Sequence, residues 1–378
     1  MEAFLAQIAQ KIKSSPYTGI TADGRSCRCL TFCEYMNIAL YDPQHGYYRS
    51  GAARIGRDGD FYTSAYIGDV MGSLLAGWLS QTASRMFPHV PTIEVWDWGG
   101  GTGRLSSQML ATWKQAGDPG ERFRLTLVDD NPAHLAQARE LLAEPVADGR
   151  ARVMSSLEAE SAVRRDGPVI VVANELLDAF PVHRVTMVKG DLRERGVAFV
   201  DGQLADCLMT PTNPALAAWL QAQNVELAEG QTTEIGLPGA AWMEKMASLL
   251  GPAVVVLIDY GDTTQELTGS HRMDGTLVMY DRHLAHGDPY RRPGKQDMTA
   301  HVDFDLIRDR AVRAGWQEQW YGTQKQFLVE AGALSMLVDH NISDPFHPIV
   351  RRNRAIRQLL LSDGMSELFK VQVWAKSH

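Results

Sequence analysis

The residues with the most chemical content form a glycine-rich turn, Asp97-Trp98-Gly99-Gly100-Gly101-Thr102-Gly103, set between a β-prone run from Thr92 and a helix-prone run from Leu105. Glycines at 99, 101 and 103 let a backbone bend sharply and come close to a ligand, because no Cβ stands in the way. A dinucleotide fingerprint requires G-x-G-x-x-G. Counted from Gly99 the last position is Arg104, and counted from Gly101 it is Ser106, so that fingerprint is absent. What remains is G-x-G-x-G behind an acidic strand end, Asp97. A second strand, Phe123 to Val128, delivers Asp129 roughly 20 to 30 residues after the turn, where sheets of this kind hold ribose hydroxyls. Together the two features point to an adenosyl cofactor over the carboxyl ends of parallel strands.

A second motif, Val171-Val172-Ala173-Asn174-Glu175-Leu176-Leu177-Asp178, brings Asn174 and Glu175 to the same carboxyl edge. If a short helix follows, Glu175 and Asp178 are three apart and share a face. Two carboxylates on one face can hold a guanidinium in bidentate fashion. The plainer alternatives are a helix-dipole role for Glu175 and a local salt bridge for Asp178. A guanidinium stays protonated in proteins, so carboxylates must polarise it as its proton departs. A neutral oxygen or nitrogen acceptor needs only one base, such as His183 or His301. His301, in Gln296-Asp297-Met298-Thr299-Ala300-His301-Val302-Asp303, reads equally as a base facing a substrate or as a hydrogen-bonded structural histidine. Thr299 or Asp303 suits the cap of a helix starting near Phe304. Gly59, Asp60, Phe61, Thr63 and Ser64 suit a loop closing over a cofactor, or an ordinary surface turn.

No metal site is expected. Cys27, Cys29 and Cys33 cluster without an evident fourth ligand, and His283 and His286 lack a carboxylate third ligand. With Cys207 remote, four cysteines are too few and too uneven for a disulfide framework, so reduced thiols are expected.

The elements that position these residues alternate. Strands at Thr92 to Asp97, Phe123 to Asp129, Ala151 to Met154, Val169 to Ala173 and Ala253 to Ile258, with helices from about Leu105 and over Pro132 to Leu142, imply a parallel sheet covered on both faces. The predicted organisation is α/β. An N-terminal helical cap and cofactor-covering loop occupies 1–88, and a Rossmann-like core 89–182. An inserted β-meander with helices fills 183–250, and a core strand 251–261. A lid or substrate region of little periodicity spans 262–312, and C-terminal core strands and helices 313–378. The chain has 378 residues, 45% of them apolar and 22% charged, which suits a soluble globular protein of more than one average domain. A net charge of −8 disfavours nucleic acid and anionic lipid as partners. No apolar run approaches the ~20 residues of a membrane span. Residues 1–18 read as a short amphipathic helix without signal or transit character, so a cytoplasmic location is expected. The oligomeric state stays open, a homodimer included.

Read together, the segments resemble the MidA-like family of S-adenosyl-L-methionine (SAM)-dependent methyltransferases, whose eukaryotic relatives are mitochondrial complex I assembly factors that methylate a protein arginine. Nearly the whole chain takes part. The resemblance runs through Ala39-Leu40-Tyr41-Asp42-Pro43, Gly46-Tyr47-Tyr48, Gly59 to Ser64, Asn174 to Val182, Ile258-Asp259-Tyr260-Gly261, Gly275-Thr276-Leu277 and Gln296 to Phe304. Asp97 and Asp129 stand where the family usually has glutamate, and Ala65 where it usually has proline. The resemblance implies a class I methyltransferase fold with SAM as cofactor and S-adenosyl-L-homocysteine as product. It implies that Asp97, Gly99, Gly101, Gly103, Asp129 and Asn174, with the 59–64 loop, bind SAM, and that Glu175, Asp178 and His301 serve an acceptor. A protein arginine is the implied acceptor. A small molecule, or SAM binding without turnover by an assembly factor, is the alternative.

Overall fold

The computed structural model describes residues 2–49, 69–116, 122–163, 167–281, 284–361 and 365–377. The chain divides into two compact units. The larger gathers Gly51–Leu176, Glu244–Tyr260 and Ala311–His378. Among the described residues its sheet has strands β1 (Ile93–Trp98), β2 (Phe123–Val128), β3 (Ala151–Met154), β4 (Val169–Asn174), β5 (Ala253–Asp262, whose last two residues belong to the smaller unit), β6 (Gln317–Thr323) and β7 (Phe369–Lys376). Their spatial order is β3-β2-β1-β4-β5-β7-β6. Neighbours from β3 to β5 run parallel, while β7 is antiparallel to both β5 and β6.

The apolar runs explain the middle of this sheet. Val169 to Ala173 and Ala253 to Ile258 are no more than 2% exposed, as strands covered on both faces must be. The chain moves outward from β1 through β2 to β3 and then returns to β4 on the other side of β1. That reversal opens a crevice at the carboxyl ends of β1 and β4, the place where open sheets bind ligands. Helices Val70–Met86 and Arg104–Gln115 pack together and share the core of this sheet. The Gly72 amide donates to Gln108 Oε1 at 3.0 Å, and a Cβ on Gly72 would lie 2.3 Å from that side chain. Trp113 stacks on Phe123 at 4.6 Å and donates its indole N–H to the Ala76 carbonyl. Leu75, Leu79, Val95, Leu125, Val172 and Ile356 belong to the same buried core. Each such side chain contributes roughly 1.5 to 3 kcal/mol by leaving water.

The smaller unit gathers Met1–Ser50, Leu177–Met243 and Gly261–Arg310. Strands His183–Val188, Asp191–Val200 and Gln203–Met209 form a meander. Both of its turns place two residues at positive φ, Lys189 (54°) with Gly190 (79°) and Asp201 (51°) with Gly202 (83°). Two-residue turns of that hand match the twist of the flanking strands. Strands Ser26–Thr31 and Thr18–Thr21 join the meander, and Gln203–Met209 pairs with both Thr18–Thr21 and Asp191–Val200, closing a ring of four strands. Cys29, Ala198, Cys207 and Met209 fill its interior.

Several expectations change. The first 88 residues hold these two strands as well as the helices Glu2–Ser14, Phe32–Tyr41 and Val70–Met86. Asp191–Val200 is one continuous strand, although only Val197 to Val200 has an apolar pattern. Residues 262–312, read as having little periodicity, contain strands Val278–Asp281, Leu284–His286 and Asp297–Thr299, beside the helix expected near Phe304, which spans Phe304–Arg313. Gln296, Asp297 and Met298 are at most 1% exposed, so this stretch is interior to its unit. Strands of three or four residues are too short to show a period. Among the described residues, no helix is long and apolar enough to cross a membrane.

Candidate functional site

In the larger unit, the ends of four strands meet around the glycine turn. Gly99, Gly101 and Gly103 take φ of 78°, 55° and 86°, a region that side-chain-bearing residues rarely adopt. The Gly99 and Gly100 amides donate to the Val128 carbonyl at 2.8 and 3.2 Å, so the turn is tied to the end of β2. A Cβ on Gly99 would lie 2.8 Å from Leu176 Cδ1, and one on Gly100 would lie 2.8 Å from Leu127 Cγ. Gly103 then caps the helix Arg104–Gln115 in the left-handed conformation.

Asp129 braces this turn. Its Oδ2 accepts the Gly101 amide at 3.0 Å and its Oδ1 the Asn131 amide at 2.7 Å. His134 Nδ1 lies 3.4 Å from Oδ1. A carboxylate has about four acceptor positions, so two remain for hydroxyl donors. Asp97 lies beneath the turn at 2% exposure and accepts the Ser106 hydroxyl at 2.6 Å. Burial raises its pKa to about 6 despite that hydrogen bond, and the charge of Asp129 adds to the rise. Asp97 is thus a buried support.

At the end of β4, the Asn174 amide donates to Glu175 Oε1 at 3.2 Å. The Glu175 N–H donates to the Ile258 carbonyl, and Asp259 Oδ2 accepts the Leu176 N–H at 3.1 Å. Asp259 on β5 therefore fixes the loop that packs on Gly99, a role the sequence reading missed. Glu175 takes φ 54°, and only Leu177–Ala179 forms a short 3-10 turn. The helical face expected to carry both Glu175 and Asp178 does not form, because the left-handed residue interrupts it.

The smaller unit holds a separate acidic and aromatic cluster. Tyr48 donates its hydroxyl to Asp297 Oδ1 at 2.8 Å. It stacks on Tyr41 at 5.5 Å and meets Tyr47 edge-on at 5.0 Å. Asp178 is 7% exposed, and its carbonyl accepts the Ala300 N–H. Burial pushes the Tyr48 and Tyr280 hydroxyls up, and the charges of Asp297 and Asp178 push both further. Asp178 and Asp297 therefore act on the same pair of phenols. Asp297 was quoted in the lid motif but not singled out; its spacing gave no sign that a strand would carry it inward. His301 is partly buried, and its backbone N–H donates to the Thr276 hydroxyl at 3.1 Å. Thr276 in turn donates to Glu234 from its N–H at 2.6 Å, and the Arg184 guanidinium donates to Glu234 at 3.0 Å. Asp303 caps Phe304–Arg313 through the Asp305 and Leu306 amides. It also accepts the Trp219 indole N–H.

Gly59, Asp60, Phe61, Thr63 and Ser64 lie outside the described residues, as does His283. No group of three or more His, Cys, Asp or Glu is arranged to hold a metal ion among the described residues. A cavity of about 260 Å³ lined by Thr92, Glu94, Trp96, Arg152 and Val169 sits at the amino ends of β1 and β4. It is at the wrong edge for the chemistry described here, since strand polarity puts the glycine turn at the opposite end.

A sheet of order β3-β2-β1-β4-β5-β7-β6, with a glycine turn after β1 and an acid after β2, has the class I methyltransferase fold. The chain belongs to the family described as "Putative S-adenosyl-L-methionine-dependent methyltransferase", whose pattern matches residues 74–322. A solved protein from Burkholderia thailandensis, described as a "likely methyl transferase" bound to S-adenosyl-homocysteine, is similar with a TM-score of 0.86 and 31% identity over 99% of this chain and 92% of that one. Among curated proteins, the frog (Xenopus laevis) protein arginine methyltransferase NDUFAF7, mitochondrial, is 27% identical over 74% of this chain and 65% of its own length. The mouse (Mus musculus) protein of the same name is 28% identical over 75% of this chain and 66% of its own. The chain thus spans about two-thirds of the length of these relatives. Their names correct the expectation of a cytoplasmic location, because the matched relatives are mitochondrial proteins. An amphipathic first helix without transit character was no guide to location.

Proposed function

We propose that this protein is a SAM-dependent methyltransferase whose acceptor is an arginine side chain of a protein. The observation that carries the reading is the braced turn: three left-handed glycines held at Asp129 and Val128, at the crevice where the strand order reverses. The donor set suits an adenosyl group. Asp129 has acceptor capacity left for ribose hydroxyls, Asn174 offers an amide at the same edge, and Asp97 supports the turn from below. SAM, when bound, supplies an electrophilic methyl group on its sulfonium. Transfer of that methyl is an in-line displacement in which positioning does most of the work.

The acceptor half of the reading rests on carboxylates. Glu175 stands at the carboxyl edge of β4, and Asp178 with Asp297 makes an acidic, tyrosine-lined cluster in the smaller unit. Glu175 is the partly exposed one and can hold a guanidinium bidentately, whereas Asp178 and Asp297 are buried. The names of the curated relatives support the same acceptor class. Reaction with methyl-labelled SAM in a cell lysate tests this. Label in one protein band, recovered as methylarginine and slowed in Glu175→Gln, is the expected result. Label in the organic extract instead would assign a small-molecule acceptor, and no label at all would leave SAM binding without turnover.

A further inference from the structure

A buried histidine stands beside the acid that braces the glycine turn. His134 is the third residue of the helix Pro132–Leu141, which opens on Asn131, whose side chain accepts the Ala133 N–H at 2.9 Å. A basic ring in the first turn of a helix works against the helix dipole, and at 2% exposure it has also lost most of its water. Both costs call for a polar partner. Asp129 supplies one, because His134 Nδ1 lies 3.4 Å from Asp129 Oδ1, the oxygen that also accepts the Asn131 N–H.

Packing holds the helix in this place. Ala138 lies one turn after His134 on the same face and is fully buried, and a Cβ on Gly103 would lie 3.3 Å from its Cβ. One helix face therefore meets both the glycine turn and its acid. The neighbouring acids are held by other groups. Asp130 accepts the Ser156 N–H at 3.0 Å and hydroxyl at 2.8 Å. Asp97 accepts the Ser106 hydroxyl, and its pKa, raised by burial, is raised further by the charge of Asp129. A carboxylate beside a second carboxylate gains from an N–H set against it. At 3.4 Å the contact is longer than an ordinary N–H···O bond, so it leaves the remaining acceptor positions of Asp129 open to a ligand.

We propose that His134 is a positioning residue for the cofactor, its Nδ1–H holding the Asp129 carboxylate in the rotamer that meets the ribose hydroxyls. The proposal rests on the reading of Asp129 as the ribose acceptor. His134 acts on the cofactor through Asp129, so its effect on affinity must depend both on that carboxylate and on the hydroxyls it accepts.

Calorimetry with S-adenosyl-L-homocysteine and with its 2′,3′-dideoxy analogue, which lacks both ribose hydroxyls, tests this dependence. The native protein is expected to bind the first at least about tenfold more tightly than the second. His134→Leu, which removes the N–H, should weaken S-adenosyl-L-homocysteine about five- to tenfold and leave the affinity for the analogue unchanged. His134→Asn, which keeps an N–H near the place of Nδ1, should restore most of the loss. In an Asp129→Ala background, His134→Leu should cost nothing further. The native protein supplies a reading that needs no variant: the ring nitrogen resonances of His134 should shift with S-adenosyl-L-homocysteine and move far less with the analogue. Equal binding of the two ligands by the native protein would remove Asp129 from the ribose, and the proposal with it. Where the native protein does discriminate, the role of His134 alone would be overturned by an equal loss for both ligands in His134→Leu, by a loss that adds to that of Asp129→Ala, or by an unmoved ring resonance.

Discussion

Chemistry and position pull against each other at Asp97. Its pKa lies at about 6 because burial disfavours the charge. A carboxyl whose folded pKa exceeds its unfolded value binds a proton more tightly when folded, so stability falls as pH rises from about 4 to 6 and stays lowered above that. The cost at neutral pH is at most about 3 kcal/mol for a shift of this size. An asparagine amide oxygen can still accept the Ser106 hydroxyl. Urea denaturation should therefore show Asp97→Asn gaining on the native protein between pH 4 and 6, with the gain constant above pH 6; no pH dependence in the difference would mean that folding does not raise the Asp97 pKa. At this scale the sequence was informative where chemistry is local. Asp97, Asp129 and the glycines stand out by type and spacing. Asp259 and Asp297 did not, since one acts across a strand pair and the other is carried inward by three residues of strand.

The elements show which glycines matter and why. Gly103 and Gly190 both take positive φ, but the space around them differs. A Cβ on Gly103 would press on Leu127 Cδ1 at 3.2 Å and Ala138 Cβ at 3.3 Å, whereas one on Gly190 would meet nothing within 4 Å. Gly190→Ala should cost roughly 1 to 2 kcal/mol, the left-handed penalty alone. Gly103→Ala should cost more than that and weaken SAM binding as well. Paired denaturation curves decide it, and equal losses would mean that the turn yields where it is drawn tight. Legibility at this scale follows burial. Strands β4 and β5, covered on both faces, announce themselves as unbroken apolar runs, and the hairpin turns do so by Lys-Gly and Asp-Gly. Strands Thr18–Thr21 and Ser26–Thr31 are set by partners far along the chain, Gln203–Met209 and Asp191–Val200, and their own sequences carry little signal.

At the scale of the whole molecule, six segments consecutive in sequence regroup into two units, each assembled from three separate stretches. Sequence order hid that regrouping, because the pieces of the smaller unit are held by antiparallel pairing and buried side chains that no local pattern encodes. The sheet of the larger unit was legible almost strand by strand, and it carries the main claim: the turn after β1, braced by Asp129, is the seat of an adenosyl donor. Calorimetric titration of the native protein with SAM and with S-adenosyl-L-homocysteine tests this most directly. Saturable binding of both is expected, with Asp129→Ala weakening it by roughly 1 to 3 kcal/mol through lost hydrogen bonds. A native protein that takes up neither compound, or an Asp129→Ala protein that binds them as tightly as the native one, would contradict it.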